Sequence, residues 1–180
     1  MTADPIAATS ITIRAATPDD VPALVEMVNA AYRASEGHVF PSTTRVGRTD
    51  AMRRLDGTLV AIVDGAVAGC VRYELRGHDC SVPEQAETDS RVAHFGLLAT
   101  DIALQGRGIA SALVEHVERL ARDAGCTLMR IEVVKEGGRV PFYERRGYRV
   151  TAETDGQAWN GGQDWGAAGP WHMVDMEKPL

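Results

Sequence analysis

The run Gln105-Gly106-Arg107-Gly108-Ile109-Ala110-Ser111 carries the residue types best suited to grip an anion. Its glycines let backbone approach a ligand without a Cβ in the way. It stands where a strand pattern gives way to a long helical pattern. The first turn of a helix offers unpaired N–H groups and a partial positive charge. Together these make a site for phosphate or diphosphate, and Arg107 can add a formal charge. Two well-known anion loops fit poorly. A P-loop requires G-x-x-x-x-G-K-[ST], and no Lys-Ser/Thr pair follows here. A dinucleotide fingerprint requires G-x-G-x-x-G/A with an acid at the tip of the next strand. Here Ser111 takes the third position, and Glu132 falls inside the next strand pattern. The bland alternative is a glycine-rich turn with no ligand.

The elements that must hold this loop can be read from periodicity. Residues 93–100 read as a strand, and 108–124 as an amphipathic helix with Leu113, Val114, Val117, Leu120 and Ala121 on one face. Gly125 ends that helix, and a strand follows over 128–134. A strand–helix–strand unit of this kind is parallel. Upstream, 11–15 alternates as a first strand. Thr17-Pro18-Asp19-Asp20 signals a helix start, and Val21, Leu24, Val25, Val28 and Tyr32 make the apolar stripe of that helix. A short second helix is expected over 50–55. Strands at 59–63 and 66–75 flank Asp64-Gly65, which suits a tight hairpin turn. Downstream come a short helix over 139–146, a strand over 148–152, an irregular Gly/Trp-rich stretch over 154–170, and a last strand over 171–177.

Composition sets the outer limits. The chain has 180 residues, 44% hydrophobic and 24% charged, with a net charge of −6. That length suits one domain over 11–180, preceded by a loose tail over 1–10. No apolar run approaches the roughly 20 residues that span a bilayer, and the N-terminus reads as no secretory signal. The acidic balance argues against nucleic acid and anionic membrane as partners. Cys70, Cys80 and Cys126 show no metal spacing, nor do the histidines, so no metal is expected. Reduced thiols fit a cytoplasmic protein.

Gln105-x-x-Gly108-x-Ala110 resembles the Q/R-x-x-G-x-G/A loop of the GCN5-related N-acetyltransferases. Val140-Pro141-Phe142-Tyr143-Glu144-Arg145-Arg146-Gly147-Tyr148 resembles that superfamily's F-Y-E-[KR]-x-G-[FY] helix. Leu97-Leu98-Ala99-Thr100 is similar to its fourth strand, and the order of elements over 11–178 is similar throughout. The resemblance implies an α/β fold: a mixed, mostly antiparallel sheet of about seven strands flanked by about four helices. It implies acetyl-CoA as co-substrate. The diphosphate would sit on the amides of Gly106, Arg107, Gly108, Ile109, Ala110 and Ser111, beside Gln105, and the pantetheine arm would run along Leu98, Ala99 and Thr100. One position departs. The superfamily often has an asparagine six residues before the helix's Phe, and Glu136 stands there.

Acetyl transfer from a thioester needs a neutral amine, donors for a developing oxyanion and a proton for the leaving thiolate. By resemblance, Tyr143 is the candidate acid; ring packing is its structural alternative. A phenol of pKa about 10 can protonate a thiolate of pKa about 8.5. His94, eleven residues before Gln105, is the candidate base, weighed against an inert strand histidine. A backbone N–H near Leu98 is the implied oxyanion donor. His38, Phe40, Arg72, Glu74 and the three tryptophans are further candidates for the acceptor side. The expected acceptor is a primary amine of a small molecule. A protein lysine or N-terminal acetyltransferase is the alternative among enzymes, and a non-catalytic acyl-CoA-binding module the alternative of another class. The resemblance leaves a homodimer through sheet edges open.

Overall fold

A computed structural model describes residues 10–41, 44–75 and 91–180. Most of the expected tail, most of the acidic excursion before the fourth strand, His78 and Cys80 lie outside the described residues. The elements run β1 (Thr12–Ala15), α1 (Val21–Glu36), α2 (Arg48–Arg53), β2 (Thr58–Val63), β3 (Ala66–Leu75), β4 (Val92–Thr100), α3 (Ile109–Asp123), β5 (Leu128–Val134), α4 (Val140–Glu144), β6 (Arg149–Asp155), α5 (Gly156–Trp159) and β7 (His172–Pro179). The strands form one seven-stranded sheet in the order β1-β2-β3-β4-β5-β7-β6. Only β4 and β5 are parallel, as the crossover through α3 requires. This is the mixed α/β sheet that the sequence implies, with α5 as an added turn where no regular element was expected.

Helices cover both faces. Leu113, Val114 and Val117 of α3 pack with Phe95, Met129 and Tyr148 on one face. Val21, Leu24 and Val28 of α1 pack with Val60, Cys70 and Ala99 on the other. Gly69 makes the α3 face possible: a Cβ there would lie 2.8 Å from Cγ2 of Ile109 and 3.1 Å from the Ala99 carbonyl oxygen. The start of α1 is held electrostatically. Asp20, only 7% exposed, accepts from both terminal nitrogens of Arg14 at 2.7 and 2.8 Å and from the Thr17 N–H at 2.8 Å. These donors hold its carboxyl well below the usual range. On the far side, Glu118 of α3 is buried and accepts from the Tyr148 hydroxyl at 2.9 Å and from Lys178 Nζ at 2.7 Å, which ties α3 to β7.

The hairpin turn is as expected, with Asp64 and Gly65 at φ 50° and 80°. Helix and strand ends differ from expectation by a residue or a few. The expected 50–55 helix sits at Arg48–Arg53, and the expected 139–146 helix is the shorter Val140–Glu144. The last turn of each relaxes before its Gly or loop.

Candidate active site

Two irregularities open the centre of the sheet. The register of β3 on β4 passes from Cys70↔Ala99 to Arg72↔Gly96, so Leu97 and Leu98 oppose Val71 alone. Leu97 holds φ 48°, a left-handed conformation uncommon for a leucine. A β-bulge of this kind bends its strand and increases its twist. On the other side, β4 pairs with β5 only through Val92, Ala93 and His94, whereas β5 continues to pair with β7 along its whole length. Beyond His94 the two parallel strands part. The gap between them opens into a cavity of about 630 Å³, lined by β4 from His94 to Thr100 and by β5 from Arg130 to Val134.

The glycine-rich loop closes one end of this gap. Gln105 and Ala110 line the cavity. Gly106 and Gly108 have φ 80° and 82°, and no atom lies within 4 Å of where either Cβ would be. Gly108 caps α3 without a side-chain bond. The first backbone donor of the helix to find a backbone acceptor is Ala112, which bonds Gly108 O at 2.9 Å. Among the described residues, the N–H groups of 106–111 have no acceptor, backbone or side chain. A run of unused amides at the start of a fifteen-residue helix is a strong anion cradle. Ile109 turns its side chain into the core, and Arg107 is exposed. Ser111 Oγ accepts from Arg146, whose guanidinium lies 3.6 Å above the Phe142 ring.

Tyr143 reaches the same cavity from α4. Its ring is buried against Phe142 (5.0 Å), Tyr148 (5.9 Å) and Phe95 (6.1 Å). Its hydroxyl has no hydrogen-bond partner among the described residues. Burial raises its pKa above that of an ordinary phenol, with Tyr32 adding to the shift and Arg139 and Arg146 opposing it, so it holds its proton. His94 lies half-buried on β4, opposite Glu74 on β3 and beside Arg130 on β5, and it lines the cavity on the α1 side of the sheet. Arg72 pairs with Glu74, and Arg130 donates to Glu177 at 2.8 Å.

Glu136 points away from the cradle. Its carboxylate accepts from the His172 N–H at 3.0 Å and meets the His172 Nδ1 at 2.8 Å, and its carbonyl oxygen bonds His38 Nε2 at 3.0 Å. The segment after β6 forms a wall. Trp171 is buried with Val39, Phe40 and Met173, stacks on Trp165 at 5.7 Å, and meets Trp159 edge-on at 6.2 Å. Ala168 N bonds Val39 O at 2.8 Å and fastens the wall to the loop after α1. Trp159 and Trp165 reach the cavity.

The structure therefore brings His94, Leu98, Ala99, Thr100, Gln105, Ala110 and Tyr143 to one cavity, with the amides of 106–111 at its end. Sequence reasoning missed Tyr32, Glu36, Arg45, Arg54 and Arg139, which also line it. By spacing, Tyr32 belongs to the apolar stripe of α1, which gives no sign of a place in the cavity. Arg45, Arg48, Arg53 and Arg54 form a basic run in an acidic chain, a signal that was present. Among the described residues, no cluster of His, Cys, Asp or Glu could hold a metal, and no helix is long and apolar enough to cross a membrane.

Comparison with known proteins bears on the fold and the family. The chain is 26% identical over 99 residues to the uncharacterized Bacillus subtilis (strain 168) protein YdhI; the match spans 54% of this chain and 52% of YdhI, so about half of each. Its fold is similar to that of PaiA N-acetyltransferase from Thermoplasma acidophilum in complex with coenzyme A (TM-score 0.71, 16% identity, 95% of this chain and 99% of that one). It is also similar to ribosomal-protein-alanine N-acetyltransferase from Brucella melitensis (TM-score 0.69, 20% identity, 94% and 99%) and to an N-acetyltransferase from Staphylococcus aureus Mu50 (TM-score 0.72, 13% identity, 95% and 99%). The family model for the acetyltransferase (GNAT) family matches residues 21–148, which takes in the bulged strand, the amide cradle and the tyrosine helix, and the chain belongs to that family.

Proposed function

We propose that the chain transfers an acetyl group from acetyl-CoA to a primary amine of a small molecule, by direct attack in a ternary complex. The observation that carries this reading is the run of unused amides at 106–111, set at the mouth of a sheet that parts after His94. The amides suit a diphosphate. The open edge of β4 at Leu98, Ala99 and Thr100 suits the amide-bearing pantetheine arm, which can pair with it as an added strand. The co-substrate supplies an acetyl group already activated as a thioester.

The chain's own groups then have three tasks. His94, directly or through a water, takes one proton from the acceptor's ammonium, leaving a nucleophilic amine. The backbone N–H near Leu98 donates to the oxygen on which charge develops as the C–N bond forms. Once the C–N bond has formed the nitrogen gives up a second proton, and Tyr143 hydrogen-bonds the sulfur as the C–S bond breaks; of the two protons that leave the ammonium, one passes through His94 to solvent and one ends on the thiol. Full transfer from a phenol of pKa 10 to a thiolate of pKa 8.5 is uphill by about 2 kcal/mol. Burial raises the Tyr143 phenol further, so its contribution is a hydrogen bond that strengthens as charge builds. The wall of 156–170, fastened to Val39, narrows the acceptor side and favours a small molecule over an extended peptide.

The test is acetyl-CoA calorimetry followed by thiol release against amines, polyamines, amino acids, aminoglycosides and peptides. Heat of binding with amine-dependent thiol release supports the reading. Binding without release for any amine makes the chain a non-catalytic module. Release with peptides alone moves the acceptor to protein.

A further inference from the structure

We propose that the acceptor is a primary amine that also carries a carboxylate, an α-amino-acid type of molecule, whose carboxylate is held by Arg45 and Arg54. This rests on the acetyltransfer reading above and specifies its acceptor.

The two arginines lie on the acceptor side of the sheet. The amide cradle belongs to α3, which covers one face, whereas α1 and α2 cover the other. Arg54 ends α2, and its carbonyl accepts from Thr58 Oγ1 at 2.6 Å, which fixes it beside the start of β2. Thr58 is the cross-strand partner of Arg72, so Arg54 stands next to the strand position that faces Gly96 on the bulged strand. Arg45 lies in the connection between α1 and α2, with its guanidinium 4.6 Å above the Tyr32 ring. Asn29 holds that connection in place through two bonds to the Val46 backbone at 2.9 and 3.1 Å. Both guanidinium groups belong to residues that line the cavity.

Neither guanidinium is fixed in a salt bridge within the described residues. Arg72 is matched by Glu74 and Arg130 by Glu177, but neither Arg45 nor Arg54 forms a salt bridge there. Arg45 acts electrostatically on Glu36 of α1, whose carboxyl is pushed up by burial and drawn back by Arg45, Arg139 and His38. A cavity lined by Arg45, Arg54 and Arg139, none of them in a salt bridge among the described residues, runs against the chain's net charge of −6. Elsewhere in the cavity lining stands His94, the candidate base, across the ladder from Glu74, which pairs with Arg72. An acceptor with an ammonium at one end and a carboxylate at the other meets His94, Arg45 and Arg54 at once. Guanidinium is the side chain whose planar donors match a carboxylate.

The experiment compares acceptors that differ only in the anionic group: phenylalanine, phenylalaninamide and phenethylamine, and likewise methionine, methioninamide and 3-(methylthio)propylamine. Thiol release gives kcat and KM, and calorimetry gives acetyl-CoA affinity, for the wild type, R45Q, R45K and R54Q. Arg54 is exposed, so R54Q leaves folding intact even if R45Q disturbs the stack on Tyr32. The carboxylate-bearing member is expected to exceed its amide and its amine at least tenfold in kcat/KM. R54Q and R45Q are expected to raise KM for the amino acid at least tenfold, to leave the amine's KM within twofold, and to leave acetyl-CoA affinity within twofold; R45K recovers part of the loss. The proposal is overturned if amides or amines are used as well as the amino acids, if no carboxylate-bearing amine turns over while acetyl-CoA binds, or if the arginine variants weaken acetyl-CoA instead. Absence of acetyl-CoA binding in the wild type is a separate result, which removes the acetyltransfer reading and this one with it.

Discussion

Replacing Tyr143 with Phe separates chemistry from packing, because the structure gives the ring and the hydroxyl different surroundings. The ring is 9% exposed and touches Phe95, Phe142 and Tyr148. Phenylalanine keeps all of those contacts. The hydroxyl makes no hydrogen bond with any described residue, so its loss leaves no buried partner unsatisfied, the usual source of a large penalty. The stability change should stay within about 0.5 kcal/mol, a Tm shift of about 1–2 °C for a chain of this size. The rate should respond differently. A donor that strengthens on the leaving sulfur is worth at least tenfold, about 1.4 kcal/mol of barrier. The assay is single-turnover thiol release, with acetyl transfer limiting, beside a thermal melt. A tenfold slower step at an unchanged Tm is expected. An unchanged single-turnover rate refutes the assignment, and a rate loss matched by a large Tm loss assigns Tyr143 to packing alone. Because burial raises the phenol's pKa, the wild-type rate should also show no alkaline fall from Tyr143 ionisation up to pH 10. A fall that disappears in the Phe variant would contradict that.

Two further perturbations probe the supports of the site. Gly108→Val places a branched side chain at φ 82° with no protein atom within 4 Å; backbone strain of about 1–2 kcal/mol should lower Tm by about 2–8 °C, while acetyl-CoA affinity falls more than tenfold by calorimetry, and unchanged affinity would place the diphosphate elsewhere. Asp20 has a carboxyl whose pKa is depressed by Arg14 and Thr17, so its stabilisation is fully present above the unfolded pKa of about 4 and is lost as pH falls towards the folded value. Urea midpoints between pH 5 and pH 2 should therefore fall more steeply in the wild type than in Asp20→Asn. Equal slopes would show that the Arg14 contact, whose guanidinium side is 42% exposed, contributes little.

The parts of this fold that follow from local chemistry were legible in the sequence. The α3 stripe, the Asp64-Gly65 turn and the β4–α3–β5 crossover each follow from spacing, turn chemistry or handedness, and all stand where expected. The glycine loop was legible because positive-φ glycines and a helix start are written in residue types. The wall over 156–170 was only half legible. Its tryptophans promised burial, but the partner that buries Trp171 is Phe40, more than a hundred residues away in the chain. Arg45 and Arg54 lie in no motif; what places them at the cavity is Asn29 and Thr58, which fix where their backbone runs.

The bulge at Leu97 was not legible, and the reason bears on how the site works. Nothing about Leu97-Leu98-Ala99 favours a left-handed residue; leucine disfavours it. The conformation is imposed by packing on both sides: Leu98 turns to the α3 face and Leu97 and Ala99 to the α1 face, with Gly69 letting α3 close down on the strand. Such strain costs about 1–3 kcal/mol and persists only where surrounding structure over-determines it. Its effect is to interrupt the ladder. A regular β4 would keep its alternation past Gly96, and its edge would remain parallel to β5. Here β4 leaves β5 after His94, the bulge against β3 follows at Leu97 and Leu98, and backbone groups that a sheet would have consumed are left facing a cavity. The same logic holds at 106–111, where amides that a longer helix would have used are left open. In both places the protein keeps backbone polarity unspent rather than adding side chains. That is why the proposed cofactor side is legible mainly through glycines, whereas the charged residues that also line the cavity, Arg45 and Arg54 among them, are written in no motif.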